Sequence, residues 1–248
     1  MSEEIKNKIE EYYKSQIWMR KCGMNIVLAR IQNMQTEIES MGREDIVYDI
    51  ESRLKTFESA YEKIGRKGLS MSEKGIDDMY DIAGIRVIVP YVSDIYTIRD
   101  LIKRPAALFQ KEAVLKVVKE RDYVKEPKEN GYRAYHIVVN VKATWQKKSI
   151  TVPVEIQIMT PSMKLWSHYE HKLVYKNRCP VASEIMATLK ENLREMSNHL
   201  SNFDKTVEET EGYLQHQKDA KEYAEENAAL AEKIITIADV KAASAANS

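Results

Sequence analysis

Two different hydrophobic periodicities divide the chain, and this division limits the folds that it can adopt. In residues 3–40 most apolar side chains recur at intervals of three, four or seven, which predicts helix with a candidate break near Gly23. Residues 45–66 repeat the helical pattern. From Ile82 onward β-branched residues become frequent and the pattern becomes that of strands. Helices at both ends around a strand-rich middle favour an α/β or α+β fold.

Four segments have the composition and alternation of strands, namely 82–91, 114–124, 132–145 and 150–160. Residues 93–104 fit a helix that Ser93 or Asp94 would cap. Pro161 suits a first helical turn, and helical patterns follow over 161–176, 182–202 and 204–236. We therefore predict a small mixed sheet of four or five strands, flanked by helices and extended by helices at both ends.

These patterns predict four parts of the chain. They are a helical extension (1–44), a core (45–178), C-terminal helices (179–237) and a disordered tail (238–248). The last helix carries its apolar residues on a narrow face and is acidic elsewhere, which is more typical of a contact between helices or subunits than of a globular core.

Charge and composition exclude several classes of protein. The 38 basic and 38 acidic side chains balance, which argues against a protein that coats nucleic acid. No apolar run approaches the ~20 residues of a membrane span, and the charged N-terminus does not resemble a signal peptide. Two cysteines make no disulfide framework, so we expect a cytoplasmic protein. Residues 53–67 carry five basic and two acidic side chains, a local excess that suits a small polyanion.

The common nucleotide and metal motifs are missing. The sequence contains no GxxxxGK[ST], no GxGxxG and no HExxH. His168 and His171 lie one helical turn apart, but zinc would need a third ligand, so ordinary helix histidines are the favoured interpretation.

Carboxylates lie at two of the predicted strands. Asp81 opens the first strand, which also contains Arg86, and Glu155 and Gln157 share one face of the fourth. A carboxylate within VPVEIQI is costly to bury without a partner. Glu155 is therefore either an ion-paired or exposed strand residue, or a metal ligand or general base. With Asp81 it could hold Mg²⁺, which binds one or two protein carboxylates together with phosphates and water.

A second polar group surrounds Tyr132. Tyr132 and His136 share a face of the third strand, and Lys128 and Asn130 lie in the preceding loop. An exposed tyrosine beside these side chains suits stacking on a nucleotide base. The alternative is a core aromatic residue beside a solvated loop.

Four segments together resemble a known family. SRLKTFESAYEKIGRKG (52–68), YDIAGIRVIVPYVSDIY (80–96), DYVKEPKENGYRAYH (122–136) and VEIQIMTPSMKLWSHYEHKLVYK (154–176) are similar, in this order, to the motifs of RelA/SpoT-type (p)ppGpp synthetases. The chain most resembles the small alarmone synthetases. That resemblance implies a cytoplasmic enzyme, a nucleotidyltransferase-like synthetase fold and a homotetramer formed through terminal helices.

The resemblance implies that the β,γ-diphosphate of ATP moves to the ribose 3′-OH of GDP or GTP, with GMP as a further candidate acceptor, and that AMP leaves. It implies Mg²⁺ as cofactor, with Asp81 and Glu155 as the catalytic and metal-binding residues. The ATP-binding residues would be Arg53, Lys55, Ser59, Lys63, Lys67 and Arg86. The acceptor-binding residues would be Arg121, Lys128, Asn130, Tyr132, His136 and Gln157. Glu170 and His171 would order the back of the site.

Four positions depart from the family pattern. Met159 replaces the usual arginine, Lys164 replaces an acidic residue, and Ala134 and Tyr135 replace serine and leucine. We expect these changes to alter the preference among GMP, GDP and GTP. Two alternatives remain at this point. One is a toxin-type relative that modifies adenosine nucleotides or the 3′ end of tRNA, and the other is a weakly catalytic, oligomeric interaction module.

Overall fold

The structure, a computed structural model, describes residues 3–43, 46–104, 115–175 and 182–246, with side chains as far as Ala229. Two compact units are distinguished, Met1–Asp204 and Lys205–Ser248. The first contains the whole sheet, and the described part of the second is helical. Among the described helices, none combines the length and the apolar character that crossing a membrane requires.

Five strands form one mixed sheet in the order β1-β2-β5-β4-β3. They are β1 (Asp49–Leu54), β2 (Ala83–Ile88), β3 (Leu115–Asp122), β4 (Tyr135–Trp145) and β5 (Lys148–Met159). β2 and β5 are parallel, and the other neighbouring pairs are antiparallel. The prediction of a small mixed sheet flanked by helices is confirmed.

Helices cover the apolar face of this sheet. The helices are α1 (Glu3–Glu39), α2 (Phe57–Lys67), α3 (Glu73–Asp77), α4 (Val92–Lys103), α5 (Pro161–Glu170) and α6 (Ser183–Ala246). Val27 and Ile31 of α1 and Ile98 of α4 pack with Val154 and Ile156 of β5 in the main core. Full burial of such a side chain stabilises the fold by about 1.5–3 kcal/mol. The opposite face of the sheet remains available for polar groups.

A second apolar cluster fixes the segments that precede β2. Ile9 and Tyr13 of α1 contact Phe57 and Ile64 of α2, and Ile82 belongs to the same cluster. The first half of α1 therefore holds α2 beside the start of β2.

Residues 49–54 were predicted to be helical, and this is wrong because they form β1. β1 lies at the edge of the sheet, and among the described strands only β2 pairs with it. Its residues include Glu51 and Arg53 rather than an alternating apolar set, so the sequence carries little strand signal. The helical pattern is confirmed only for the second part of the segment, as α2.

Two further predictions about helices are also wrong. α1 continues through Gly23, because the glycine lets the helix lie directly against Val152 of β5. α4 begins after Tyr91, not after Ser93 or Asp94, and Asp94 instead pairs with Arg43 at 3.0 Å. A π-helical turn, His171–Tyr175, follows α5.

The two predicted C-terminal helices are one helix, α6. It also includes all but residues 247 and 248 of the tail that we expected to be disordered, and these two lie outside the described residues.

Replacement of Gly23 by alanine tests the close contact between α1 and β5. A Cβ atom at this position would lie 2.3 Å from Val152 Cγ2. Alanine gains about 1 kcal/mol in helix propensity, but overpacking a core costs about 1–3 kcal/mol. We expect Gly23→Ala to destabilise the protein by about 1 kcal/mol in urea unfolding. Gly65→Ala in α2 is the matched control, since a Cβ there has no neighbour within 4 Å. A stabilised Gly23→Ala would contradict this packing.

Candidate active site

Side chains from three neighbouring strands meet on the polar face of the sheet. The parallel register aligns Arg86 of β2 with Gln157 of β5, and the antiparallel register aligns Gln157 with His136 of β4. Glu155 lies two residues before Gln157 on the same face, whereas its neighbour Ile156 is fully buried on the other. The predicted alternation along β5 is therefore confirmed.

Gly84 leaves room beside Glu155. It is the register partner of both Glu155 and Arg53, so it lies between these two residues. A Cβ atom at Gly84 would meet only the carbonyl oxygen of Arg53, at 3.9 Å. The absent side chain leaves an open surface at the centre of the polar face, where a ligand can approach the carboxylate of Glu155.

Asp81 lies at the start of this face and binds two lysines. Its Oδ2 atom is 3.2 Å from the Nζ atom of Lys55 and 2.5 Å from that of Lys63. Lys63 is in α2, but Lys55 precedes that helix, so the two lysines do not lie on one helix face. They converge because the Lys55 amide donates to the Ile82 carbonyl at 2.8 Å, next to Asp81.

The environment of Asp81 suits a cation. Burial alone would raise the pKa of its carboxyl group, but Lys63 and Lys55 outweigh burial and lower it, so the group is ionised at neutral pH. Its second oxygen, Oδ1, is buried and has no hydrogen-bond partner among the described residues. No three His, Cys, Asp or Glu side chains cluster as a metal site within the described ranges. A cation here would need phosphate and water as further ligands, which is typical of Mg²⁺.

Glu155 is the second carboxylate of the site. Burial raises its pKa and so does the charge of Asp81, but contacts to His136 and Gln157 outweigh both and lower it. His136 Nδ1 lies 3.3 Å from Oε1, and Gln157 Nε2 donates to Oε2 at 2.9 Å. The charge of Asp81 is thus close enough to affect Glu155, although the two carboxylates are 74 positions apart in sequence.

A hydrogen-bonded chain connects Glu155 to Tyr132. The Tyr132 hydroxyl lies 2.8 Å from His136 Nε2. Burial raises the pKa of Tyr132, so this hydroxyl keeps its proton. An ionised Glu155 only accepts hydrogen bonds, so in a neutral imidazole Nδ1 carries the proton and Nε2 accepts from Tyr132.

Aromatic rings and a lysine surround Tyr132. Trp166 and Tyr123 pack against its ring with centroid separations of 6.1 and 6.0 Å. The Lys128 ammonium lies 4.4 Å from the centroid of Tyr132 and 4.6 Å from that of Tyr123. Neither Tyr123 nor Trp166 was predicted as a site residue, although both lie within the motif segments. The faces of the Tyr132 and Tyr123 rings that contact the Lys128 ammonium can also stack on a planar ligand.

The loop before β4 is held by its own side chains. We refer to residues 127–133 as the 127–133 loop. Asn130 Oδ1 accepts from the Tyr132 amide at 3.1 Å, and its Nδ2 donates to Glu170 at 3.3 Å. These contacts give Asn130 a role in shaping the loop, and Glu170 anchors it from α5.

A separate ionic network occupies the β1 side of the site. Arg86 Nη1 is 3.0 Å from Glu51 Oε2, and Lys164 Nζ is 2.8 Å from Glu51 Oε1 and 3.1 Å from Asp49. Lys164 thus reaches β1, which the sequence did not indicate. The hydrogen bond from Lys164 is the main cause that lowers the pKa of Glu51. Met159 is fully buried in the core.

The remaining predicted residues are less closely associated with this centre. Arg53, Lys67 and Arg121 are exposed, and Arg121 donates to its neighbour's carbonyl, that of Glu120, at 3.0 Å. Ser59 lies at the start of α2, where its amide donates to Thr56 at 3.3 Å. The structure therefore brings Lys55, Lys63 and Asp81 together at one end of the site, and Glu155, Gln157, His136 and Tyr132 at the other.

Comparison with known proteins identifies the family. Residues 52–179 match the family described as a region found in RelA / SpoT proteins. The chain is 30% identical over 190 residues to GTP pyrophosphokinase YwaC of Bacillus subtilis. This match covers 76% of this chain and 87% of that protein. It is 35% identical over 166 residues to GTP pyrophosphokinase YjbM of the same organism, covering 67% of this chain and 72% of that protein.

A solved structure supports the same assignment. Small alarmone synthetase 1 from Bacillus subtilis, crystallised with its product pppGpp, superposes with a TM-score of 0.70 and 28% identity, over 82% of this chain and 98% of that one. The sheet and the polar site described above lie within the matched family region, apart from the first residues of β1. The chain therefore belongs to the RelA/SpoT family, as a small alarmone synthetase.

Proposed function

We propose that this protein is a (p)ppGpp synthetase, in which the 3′-oxygen of a guanosine nucleotide attacks the β-phosphorus of ATP. A new bond forms between this oxygen and the phosphorus, the bond from the β-phosphorus to the α,β-bridging oxygen breaks, and AMP leaves. The attacking hydroxyl gives up one proton, which passes to solvent, and the leaving AMP carries the electron pair of the broken bond.

One observation carries this proposal, namely that the ionised carboxylates of Asp81 and Glu155 share a site. On one side of them are Lys55 and Lys63. On the other side are the rings of Tyr123, Tyr132 and Trp166, which we call the aromatic pocket. Diphosphoryl transfer depends on positioning and on compensation of charge, because the transferred group is already highly charged. Asp81 with Lys55 and Lys63 suits the phosphates of ATP, and Tyr132 suits the base of the acceptor. Glu155 lies between these two groups, where the attacking oxygen would be.

We assign the residues that would bind ATP, the diphosphate donor, from the charge and exposure of their side chains. Lys55 and Lys63 would bind the β- and γ-phosphates, with Ser59 and Lys67 along the same segment. Arg53 and Arg86 would flank the adenine, since a guanidinium plane stacks well on an aromatic base. Glu51 forms ion pairs with both Arg86 and Lys164, and these contacts would hold Arg86 in position.

The acceptor side is assigned to the aromatic pocket. Tyr132 would stack on guanine in place of the Lys128 ammonium, and Lys128 would then be free to bind a phosphate of the acceptor. Gln157, Asn130 and His136 supply hydrogen bonds at the same side, and Arg121 lies at its edge.

The divalent ion is part of the proposal. Asp81 and Glu155 would hold Mg²⁺, and the unpartnered Oδ1 atom of Asp81 supports this assignment. The ion would neutralise phosphate charge and orient the diphosphate for attack. Because the pKa of Glu155 is lowered, this residue is a hydrogen-bond acceptor for the 3′-OH and only a weak base.

The other candidate functions receive less support. A tRNA substrate requires a basic surface, but Lys125 and Lys128 alternate with Glu126 and Glu129 beside Tyr132. An interaction module does not require two largely buried, ionised carboxylates. We also propose that the enzyme is a cytoplasmic homotetramer that assembles through its terminal helices, which sedimentation analysis would test.

The proposed reaction predicts a specific pattern of label transfer. Purified protein with Mg²⁺ and ATP labelled in the γ-phosphate would be offered GMP, GDP, GTP, ADP and bulk tRNA separately. We expect label on guanosine nucleotides, at unequal rates. Glu155→Gln should reduce the rate by at least about 100-fold, because it removes the charge beside the attacking oxygen. Glu73→Gln, on the exposed surface of α3, is the control. Label on tRNA or ADP would favour the toxin-type alternative, and no transfer at all would favour an interaction module.

The pH dependence of the rate tests the contact between His136 and Glu155. Glu155 must be ionised, and His136 helps to lower its pKa, so activity should persist below the usual pKa of a glutamate. His136→Ala should raise the pKa of Glu155, and the acidic limb of kcat should move to higher pH. Tyr132→Phe retains His136 and should leave this limb near its original position. An acidic limb that is the same in all three proteins would refute the assignment to Glu155.

Lys164 is expected to affect the binding of ATP, the donor, more than the binding of the acceptor. The reason is that Lys164 contacts Glu51, which in turn contacts Arg86. Partly exposed ion pairs contribute about 0–1 kcal/mol, so Lys164→Met should raise KM for ATP about two- to fivefold. KM for the acceptor should change less, and Lys164→Arg should retain most of the wild-type behaviour. Lys74→Met removes an exposed ion pair to Asp78 and is the control. A change confined to the acceptor KM would show that Lys164 acts elsewhere.

A further inference from the structure

The 127–133 loop lies directly against α6, a helix that begins outside the family-matching region. Ser197 of α6 is only 3% exposed, and its hydroxyl donates to the carbonyl oxygen of Gly131 at 2.5 Å. Gly131 is the residue before Tyr132. The hydrogen bond therefore joins α6 to the backbone next to the proposed base-stacking residue.

The contact at Gly131 is close enough to fix the loop. Gly131 has φ of +92°, a backbone conformation that favours glycine. A Cβ atom there would lie 2.9 Å from the Cβ atom of Ser197 and 3.4 Å from the Cα atom of Arg194. The backbone of the loop and α6 are thus in direct contact at Gly131.

A second contact joins α6 to the other side of Tyr132. The indole of Trp166, in α5, donates to the carbonyl oxygen of Leu193 at 2.5 Å, and its ring packs against that of Tyr132. Trp166 is 2% exposed. The same stretch of α6 therefore holds both the loop that carries Tyr132 and the aromatic ring on which Tyr132 rests.

A third contact fixes this stretch of helix at its other end. Thr160 donates to Asp204 at 2.7 Å, and both side chains are buried. Thr160 also caps α5 by accepting from the Met163 amide at 3.3 Å. Since Thr160 follows β5 directly, residues 193–204 are connected to the strand that carries Glu155. Buried hydrogen bonds of this kind are costly to break, because each leaves an unpaired polar group.

We propose that Leu193, Ser197 and Asp204 of α6 complete the acceptor side of the active site through these contacts, with Ser197 as a positioning residue that acts through Gly131 and Tyr132. This inference rests on the proposed acceptor role of Tyr132. It gives the start of α6 a function in nucleotide binding, in addition to the oligomerisation expected of the C-terminal helices. Arg133 adds to the connection, since its Nη2 lies 3.5 Å from Asn198.

Ser197→Ala in the full-length chain tests the proposal, and Ser201→Ala is its matched control. Both serines line one small cavity beside Gly131, one helical turn apart, but among the described contacts only Ser197 binds the loop. We expect Ser197→Ala to raise KM for GDP or GTP about five- to tenfold while KM for ATP stays within about twofold. Ser201→Ala should leave both values near those of the wild type. A purely structural role would lower Tm and change both KM values together, and that outcome would overturn the proposal.

A binding measurement separates this proposal from the proposed reaction. In a Trp18→Phe/Trp145→Phe background, the fluorescence of Trp166 would report GDP binding without any turnover. Ser197→Ala should weaken the Kd for GDP by the same factor as it raises KM. If GDP binds but no diphosphate is transferred, the proposed reaction fails and the Kd still decides the role of Ser197. An unchanged Kd in Ser197→Ala, or no GDP binding by the parent protein, would refute the proposal.

Discussion

The parallel pairing of β2 with β5 is the constraint on which the rest of the site depends. It joins segments that are about seventy residues apart and aligns Gly84 with Glu155 and Arg86 with Gln157. The carboxylate of β5 is thereby placed beside a residue that has no side chain, and Asp81 lies just before the same strand. A shift of one residue in this register would turn Glu155 toward the apolar face, where α1 and α4 pack. Burial of the apolar side chains therefore also fixes the geometry of the proposed active site.

The electrostatic balance of the site follows from this arrangement. Burial raises the pKa values of both carboxyl groups, and each group would tend to hold a proton without compensation. Lys63 and Lys55 lower the pKa of Asp81, and His136 and Gln157 lower that of Glu155. The partners differ in kind, because cations surround Asp81 and hydrogen-bond donors surround Glu155. This difference suits a phosphate-side carboxylate and a carboxylate that faces a hydroxyl group.

Sequence patterns predicted the residues whose role depends on their own strand. Glu155 and Gln157 could be assigned to one face because side chains alternate along β5. The same alternation was wrongly extended to Tyr132, because β4 begins only at Tyr135 and Tyr132 reaches His136 from the 127–133 loop. β1 was missed because an edge strand with charged residues has neither a helical nor a strand-like apolar pattern. Glu51, Lys164 and Ser197 make contacts with partners that are distant in sequence. Their contacts arise only when strands and helices pack, so no local signal could identify them.

The sequence by itself determined the class of fold, the motif segments and the chemical types of the site residues, because periodicity and motif spacing are local properties of the chain. The convergence of Lys55 and Lys63 on Asp81 was decided by the packing of α2 beside the start of β2, since these lysines do not share a helix face. The support of the 127–133 loop by α6 was likewise decided by tertiary structure. It depends on a close approach of Gly131 to Ser197, and such an approach is a property of two surfaces in contact rather than of either segment alone.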